Sequence, residues 1–329
     1  MRAARFRLAF GEAAPLGRVV LFGARAGDDL DPLSRENTVI VEGFAPDYSG
    51  LAAQGWQVAH EPETGFDIAV VTLPRARDAG RARIAAAVAA LREGGTLWVD
   101  GQKTDGIEST LRELRDLAGI AETHSKAHGK IARLEVAHGW LPEGWAARPR
   151  EVAPGLITLP GVFSADGIDA GSVLLASALP DKLPTRIVDL GAGWGWLSAQ
   201  ILGRSGVQLL HLVEADHDAL SCARQNITDP RAHFHWADAR HFSLPEPVNG
   251  VIMNPPFHEG RAGDPSIGVA FIAAAARLLT GAGRLWMVAN RHLPYEAALS
   301  QHFGEHAEIA GDSRFKVITA TGAGRKARR

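Results

Sequence analysis

Arg186-Ile187-Val188-Asp189-Leu190-Gly191-Ala192-Gly193-Trp194-Gly195 is the stretch on which the reading of this chain turns. Its first five residues predict a buried strand, and the glycines after them predict a tight turn that opens a helix at Trp196. Glycine suits the turn because a ligand can lie against bare backbone where a Cβ would collide. The free N–H groups of the helix N-terminus face the same place. A dinucleotide site uses nearly the same device, so the turn alone leaves the cofactor open.

The neighbouring acids narrow the choice. Asp189 ends the strand, ahead of the first glycine. A carboxylate there suits the ammonium of a methionine moiety and is poor company for a pyrophosphate, which favours S-adenosylmethionine. Glu214 ends the next strand, in Leu212-Val213-Glu214-Ala215-Asp216, placed for the ribose hydroxyls of either cofactor. Asp238 follows the third, in Trp236-Ala237-Asp238-Ala239-Arg240. It is placed to accept from an adenine amine, and a helix cap is its other reading.

The deciding motif is Asn254-Pro255-Pro256-Phe257-His258, after the fourth strand. The exocyclic amine of a base is flat and conjugated, so its lone pair is unavailable to an electrophilic methyl. Two acceptors, the Asn254 side-chain oxygen and the Pro255 carbonyl, would orient its N–H groups and favour a pyramidal nitrogen. The prolines stiffen the loop, and Phe257 offers a face for an extruded base.

Outward from this site, residues 209–214, 233–237, 250–254, 284–289 and 315–319 read as strands, and 196–202, 217–225, 269–279 and 295–302 as helices. The first half alternates in the same way, with strands at 18–23, 38–41, 56–60, 67–73 and 96–100 and helices at 78–92 and 108–117. The fold class is therefore α/β, two tandem Rossmann-like domains with parallel sheets. Proline and glycine thicken between Gly139 and Gly161, which puts the domains at 1–150 and 151–329. Residues 66–74 line up with 248–256, and Gly95-Thr96-Leu97-Trp98 with Gly283-Arg284-Leu285-Trp286, so the halves look like two copies of one domain.

Composition bounds the rest. The 329 residues are 46% hydrophobic and 22% charged, a chain able to bury two ordinary cores. No apolar run reaches the ~18 residues that span a bilayer. The basic start, Met1-Arg2-Ala3-Ala4-Arg5-Phe6-Arg7, has no apolar stretch after it, so a cleaved signal is not expected. The single cysteine, Cys222, allows no internal disulfide and suits a reducing cytoplasm; it reads as a small buried residue. A net charge of -2 excludes a strongly basic nucleic-acid binder. Local clusters remain in Arg325-Lys326-Ala327-Arg328-Arg329 and in Lys126, Lys130 and Arg133 with His124 and His128, either able to meet phosphates or to be a solvated face. His233, His235 and His241 lack a carboxylate at ligand spacing, so no metal is expected. Ser172 and Ser198 lack a His and Asp pattern, and Trp194, Trp196 and Trp236 read as core.

The second half resembles the methyltransferase small domain, and the whole chain resembles the bacterial small-subunit (16S) rRNA guanine-N2 methyltransferases. The resemblance runs through Leu159-Pro160-Gly161-Val162-Phe163-Ser164, Asp166-Gly167-Ile168-Asp169-Ala170-Gly171-Ser172, Asn254–His258, residues 288–295 and 314–317, and Ser125-Lys126-Ala127-His128-Gly129-Lys130. It implies two class I methyltransferase domains, the first degenerate: Gly23-Ala24-Arg25-Ala26-Gly27 lacks the spaced glycines, and Thr72-Leu73-Pro74 stands in place of Asn-Pro-Pro. That first domain would support folding or contact RNA. The implied reaction moves a methyl group from S-adenosylmethionine to N2 of a guanine in 16S rRNA, leaving S-adenosylhomocysteine. Asp189, Gly191, Ala192, Gly193, Glu214, Ala215, Asp238 and Ala239 would bind the cofactor, Phe163 and Asp169 would close over it, and Asn254, Pro255 and Phe257 would hold the guanine. The partner would be the small ribosomal subunit or its rRNA, with no membrane involved and a monomer favoured. Near-neutral charge makes an assembled particle the better substrate than free RNA. Protein glutamine and adenine-N6 methyltransferases, which commonly carry Tyr where this chain has Phe257, are the rival enzymes. A scaffold that binds cofactor or RNA without catalysis is the rival of another class, and a nicotinamide oxidoreductase would not require Asn-Pro-Pro-Phe.

Overall fold

The computed structural model describes residues 2–136, 140, 143–256 and 265–324. The chain divides into two compact units, Met1–Pro149 and Arg150–Arg329. The first contains α1 (Arg2–Phe10), β1 (Val19–Phe22), β2 (Thr38–Val41), α2 (Ala45–Ala53), β3 (Gln57–Ala59), β4 (Phe66–Thr72), α3 (Arg77–Ala90), β5 (Leu91–Gln102), α4 (Ile107–Ala118), β6 (Glu122–Lys126) and β7 (Gly129–Glu135). The second opens with a small hairpin, β8 (Arg150–Ala153) and β9 (Leu156–Thr158), and α5 (Ala170–Ala178). It continues with β10 (Arg186–Leu190), α6 (Trp196–Leu202), β11 (Leu209–Glu214), α7 (His217–Asn226), β12 (Ala232–Trp236), β13 (Val248–Met253), α8 (Pro265–Leu278), β14 (Leu279–Asn290), α9 (Glu296–His302), β15 (Phe303–Gly311) and β16 (Phe315–Ala323).

Each unit carries a seven-stranded sheet, in the orders β3-β2-β1-β4-β5-β7-β6 and β12-β11-β10-β13-β14-β16-β15. The two orders are the same when each unit is counted from its own first sheet strand. Five strands are parallel and the last two join antiparallel. The central strands are covered on both faces, which is why β10 and β1 are nearly continuous apolar runs. Chain order reverses between β10 and β13, and that break at the carboxyl ends of parallel strands is where such folds bind ligands.

The basic N-terminal segment is α1, a part of the fold. Phe6 enters the core with Leu21, Ile40 and Trp98, and Arg5 is buried against Asp100. The basic cluster of the first unit is a hairpin, two of whose cations, Lys130 and Arg133, are paired locally. Lys130 Nζ donates to Glu108 (2.9 Å) and Arg133 Nε to Glu122 (3.2 Å), so this face carries its own carboxylates. Among the described residues no helix is long and apolar enough to cross a membrane.

Candidate active site

The turn after β10 places Gly191, Gly193 and Gly195 at φ +84°, +56° and +92°, a left-handed region closed to most side chains. Gly191 and Ala192 both donate to the Val213 carbonyl at the end of β11, at 2.8 and 3.1 Å. The turn is thereby tied to the strand that carries Glu214. A Cβ on Gly195 would press on Ile227 and Ala223, so that glycine serves packing. A Cβ on Gly193 would meet nothing within 4 Å, so its open side faces space a ligand can enter. That space is a cleft of about 420 Å³ including its mouth, lined by Phe163, Asp169, Ser172, Gly191–Gly193, Trp196 and Asn254, among others.

Three carboxylates crowd the turn. Asp189 is fully buried; its Oδ2 accepts from Ser198 Oγ at 2.6 Å and its Oδ1 has no partner. Burial pushes its pKa up to about 7, with Ser198 opposing and the Glu214 charge adding to the rise. Glu214 accepts from the Gly193 and Asp216 amides at 2.7 and 2.8 Å. Burial raises it as well, against those backbone bonds. Asp216 caps α7 through the Asp218 and Ala219 amides and is pushed up to about 7, by burial first and then by Glu214 and Asp218. Burial makes these acids costly to ionise, so a cationic ligand beside the open glycine turn, which favours their charged form, gains from them, whereas a pyrophosphate would be repelled by it.

The other predicted contacts divide. Asp238 is forked by Arg240 Nε and Nη2 at 2.9 Å each; its pKa falls because these bonds outweigh the burial that would raise it. An adenine amine would have to share those oxygens. Ala215 presents a carbonyl that accepts from Trp236 Nε1 (2.9 Å), and Ala239 is buried in the core. Phe163 lines the cleft and is 62% exposed. Asp169, expected over the cofactor, lies in the cleft wall with Asn254 bonded to it: Asn254 Nδ2 donates to Asp169 Oδ2 (2.8 Å) and Ser172 Oγ (2.9 Å). Asn254 Oδ1 is buried without a partner, and Pro255 beside it is buried. Phe257, His258 and the basic tail 325–329 lie outside the described residues.

Residues 154–319 match the family model described as methyltransferase small domain, half of the chain. The chain belongs to this family. Among similar proteins is the ribosomal RNA small subunit methyltransferase C of Hahella chejuensis, 28% identical over 82% of this chain and 83% of that one. The protein of that name from Salmonella choleraesuis is 33% identical over 68% of this chain and 66% of its own length. The solved T. thermophilus 16S rRNA N2 G1207 methyltransferase, in complex with AdoMet and guanosine, is 26% identical with a TM-score of 0.80, covering 99% of this chain and 92% of that one.

The same strand order occurs in the first unit, with a side chain packed against the turn after β1. The two pairing registers make Gly23 the counterpart of Gly191, Glu42 of Glu214 and Thr72 of Asn254. Glu42 keeps even the backbone bond of its counterpart, accepting from Phe44 N at 2.8 Å as Glu214 does from Asp216 N. Leu21 stands where Asp189 would be, and α3 puts Arg83 at the position that Phe271 holds in α8. A Cβ on Gly23 would collide with the Arg83 guanidinium, which donates to the Thr72 carbonyl (3.1 Å). The arginine therefore occupies the turn. Calorimetry with S-adenosylmethionine should give one site per chain; two sites would mean that Arg83 yields its place.

Sequence reasoning set Ser198 and Ser172 aside as nucleophiles without giving them a positioning role, and did not single out His211. Ser198 lies nine residues past Asp189, on the helix that the turn opens, a separation with no motif. Ser172 had a signal, since Asp169 three residues earlier is a cap pattern. His211, behind the site, has its Nδ1 2.9 Å from His235 Nε2; burial, then the neighbouring His235, push it down to about 4. His241, read near His233 and His235, lies with its Nδ1 3.3 Å from Asp238 Oδ2. Among the described residues no cluster of His, Cys, Asp and Glu has metal-binding geometry.

Proposed function

We propose that the second unit transfers a methyl group from S-adenosylmethionine to the exocyclic N2 amine of a guanine in 16S rRNA, leaving S-adenosylhomocysteine. The observation that carries this reading is the unpaired, buried Asn254 Oδ1 beside the open glycine turn. A buried acceptor left unsatisfied is costly unless a donor arrives to meet it. An amine N–H is such a donor.

Gly191–Gly193 would cradle the methionine end with the negative field of Asp189 behind it, and Glu214 would accept from the ribose. The bound cofactor supplies an electrophilic methyl on a sulfonium. Asn254 Oδ1 and the Pro255 carbonyl would take the two N–H bonds of the target amine, turning its lone pair toward that methyl. The methylated nitrogen is acidic enough to pass its proton to solvent, so no strong base is needed. The names of the small-subunit relatives, and the guanosine bound in the T. thermophilus enzyme, support guanine in 16S rRNA as acceptor. The small subunit in the cytoplasm is the natural partner, with residues 1–150 as a degenerate domain that supports folding or touches RNA.

The test is transfer of labelled methyl to unmethylated small subunits, large subunits, naked rRNA and a release factor, followed by nucleoside analysis. N2-methylguanine in small-subunit rRNA is the expected product. Label in adenine, in the release factor or nowhere overturns the substrate.

The carboxylates give this reading a pH signature. A folded pKa near 7 for Asp189 means that ionising it costs stability as pH rises from the ordinary carboxylate range through 7. A cationic ligand favours the ionised form, so S-adenosylmethionine should bind up to about tenfold more tightly at pH 8 than at pH 6. Asp189→Asn should weaken binding and flatten that profile, whereas Asp216→Asn, titrating in the same range, should flatten it less. Equal wild-type affinities at the two pH values would remove Asp189 from the binding equilibrium.

A further inference from the structure

We infer that Asp169 and Ser172 form an orientation lock on Asn254, forcing the amide to present its oxygen, and only its oxygen, to the incoming substrate. The proposal rests on the functional reading above and assigns to Asp169 a positioning role in place of cofactor contact.

Both hydrogens of Asn254 Nδ2 are committed, one to Asp169 Oδ2 at 2.8 Å and one to Ser172 Oγ at 2.9 Å. An ionised carboxylate accepts and never donates. Rotating the amide by half a turn would therefore bring Oδ1 against Asp169 Oδ2, two acceptors face to face, and would strand Nδ2 in the cleft. The observed rotamer is the one the charge allows, and it leaves Oδ1 buried and unpaired. Asp169 is itself held, because it caps α5 by accepting from Ser172 N at 2.8 Å. Helix α5 thus fixes both partners of the amide from its first turn. Gly171 leaves room for this: a Cβ there would lie 3.0 Å from Asp169 Oδ2 and 3.4 Å from the Phe315 ring.

The lock sets specificity as well as geometry. A cleft whose fixed group is an acceptor takes up an N–H donor, an exocyclic amine, and rejects a ring carbonyl at the same point. A charged partner on the N–H side also polarises the amide and strengthens the oxygen as acceptor.

Asp169→Asn separates this role from a structural one. Asparagine caps a helix as well as aspartate does, so α5 should be kept and the melting temperature should fall only slightly. One oxygen, Asp169 Oδ2, serves both Ser172 N and Asn254 Nδ2, so asparagine frees the amide to rotate only when its own NH2 turns toward Asn254 at the expense of the cap bond, an exchange that the carboxylate forbids. The expected result is a fall in kcat of roughly 10- to 100-fold with S-adenosylmethionine affinity within about twofold of wild type. Added to Asn254→Ala, the substitution should lower kcat no further, since the two act through one oxygen. A second measurement needs no nucleic acid: the side-chain amide protons of Asn254, assigned by their loss in Asn254→Ala, should exchange slowly with water in the wild type. In Asp169→Asn and Ser172→Ala they should exchange at least severalfold faster. Fast exchange in the wild type overturns the lock even if guanine is methylated as proposed. Slow exchange that the variants speed up sustains it even if the acceptor proves to be another amine. A loss of cofactor affinity matching the loss of rate would return Asp169 to the cofactor and overturn the proposal.

Discussion

Asn254→Ala should lower turnover by about 10²- to 10³-fold while leaving S-adenosylmethionine binding unchanged, as for removal of one oriented polar group at a transition state. The asymmetry follows from the geometry. Asn254 lines the cleft with its Oδ1 unpaired, and the proposed cofactor cradle is the β10 turn and the end of β11. Nothing in that cradle leans on the Asn254 amide, whose bonds run to Asp169 and Ser172. The loss should therefore appear in kcat under saturating cofactor, measured on small subunits. Truncation also strands the Asp169 carboxylate and Ser172 hydroxyl without the amide, so a modest drop in melting temperature is expected alongside. Turnover within a fewfold of wild type would remove Asn254 from the mechanism.

The architecture was legible because its strongest signals are local. A strand running into spaced glycines predicts β10 and α6 at Arg186–Leu190 and Trp196–Leu202, and the alternation around them predicts the parallel core of both sheets. What escaped is the antiparallel pairing, of whose strands only 315–319 was read, and the helices α1 and α5 that precede the two sheets. The β6–β7 hairpin turns at Ala127 and His128, both at positive φ, without the Asn-Gly or Asp-Gly pair that marks such turns. Strand β15 is a mostly exposed edge whose polar composition reads as loop. Helix α5 is apolar almost all round and shows no stripe, and α1 hides behind its arginines.

The site was legible in its residues and less so in their connections. Spacing could place Asp189, Glu214 and Asn254 at successive strand ends, because parallel strands deliver their carboxyl ends to one edge. It could not say that Asp238 is held by Arg240, or that Asp169 and Asn254, 85 positions apart, share a hydrogen bond. Such pairings depend on rotamers that the chain adopts only once packed. The same limit applies to the first unit. Its missing glycines are visible in sequence, but the Arg83 guanidinium filling the gap is visible only when α3 is laid over β1.

Asp100→Ala should be the most damaging single change in the first unit, at about 3–5 kcal/mol, because it leaves a buried guanidinium without its anion. Arg5 is 1% and Asp100 0% exposed, with Arg5 Nη2 donating to Asp100 Oδ2 at 2.9 Å and Arg2 Nε adding a bond at 3.3 Å. This pair fastens α1 to the end of β5, and the Arg5 guanidinium also reaches the Lys126 carbonyl on β6 (3.4 Å). At roughly 2–4 °C per kcal/mol for a unit of this size, the transition should fall by on the order of 10 °C. Burial of the pair is a cost recovered only by its own geometry, so Arg5→Met with Asp100→Leu should be far milder than either single change. Hydrogen exchange read by mass spectrometry localises the effect: peptides of α1, β5 and β7 should lose protection in Asp100→Ala, and those of β10 and β11 should not. Unchanged protection of α1 would show that Phe6 and its apolar neighbours hold the helix without the ion pair. Loss of protection confined to α1 and its strands, with cofactor binding intact, would locate the stability of the first unit in its own core and leave the chemistry to the second.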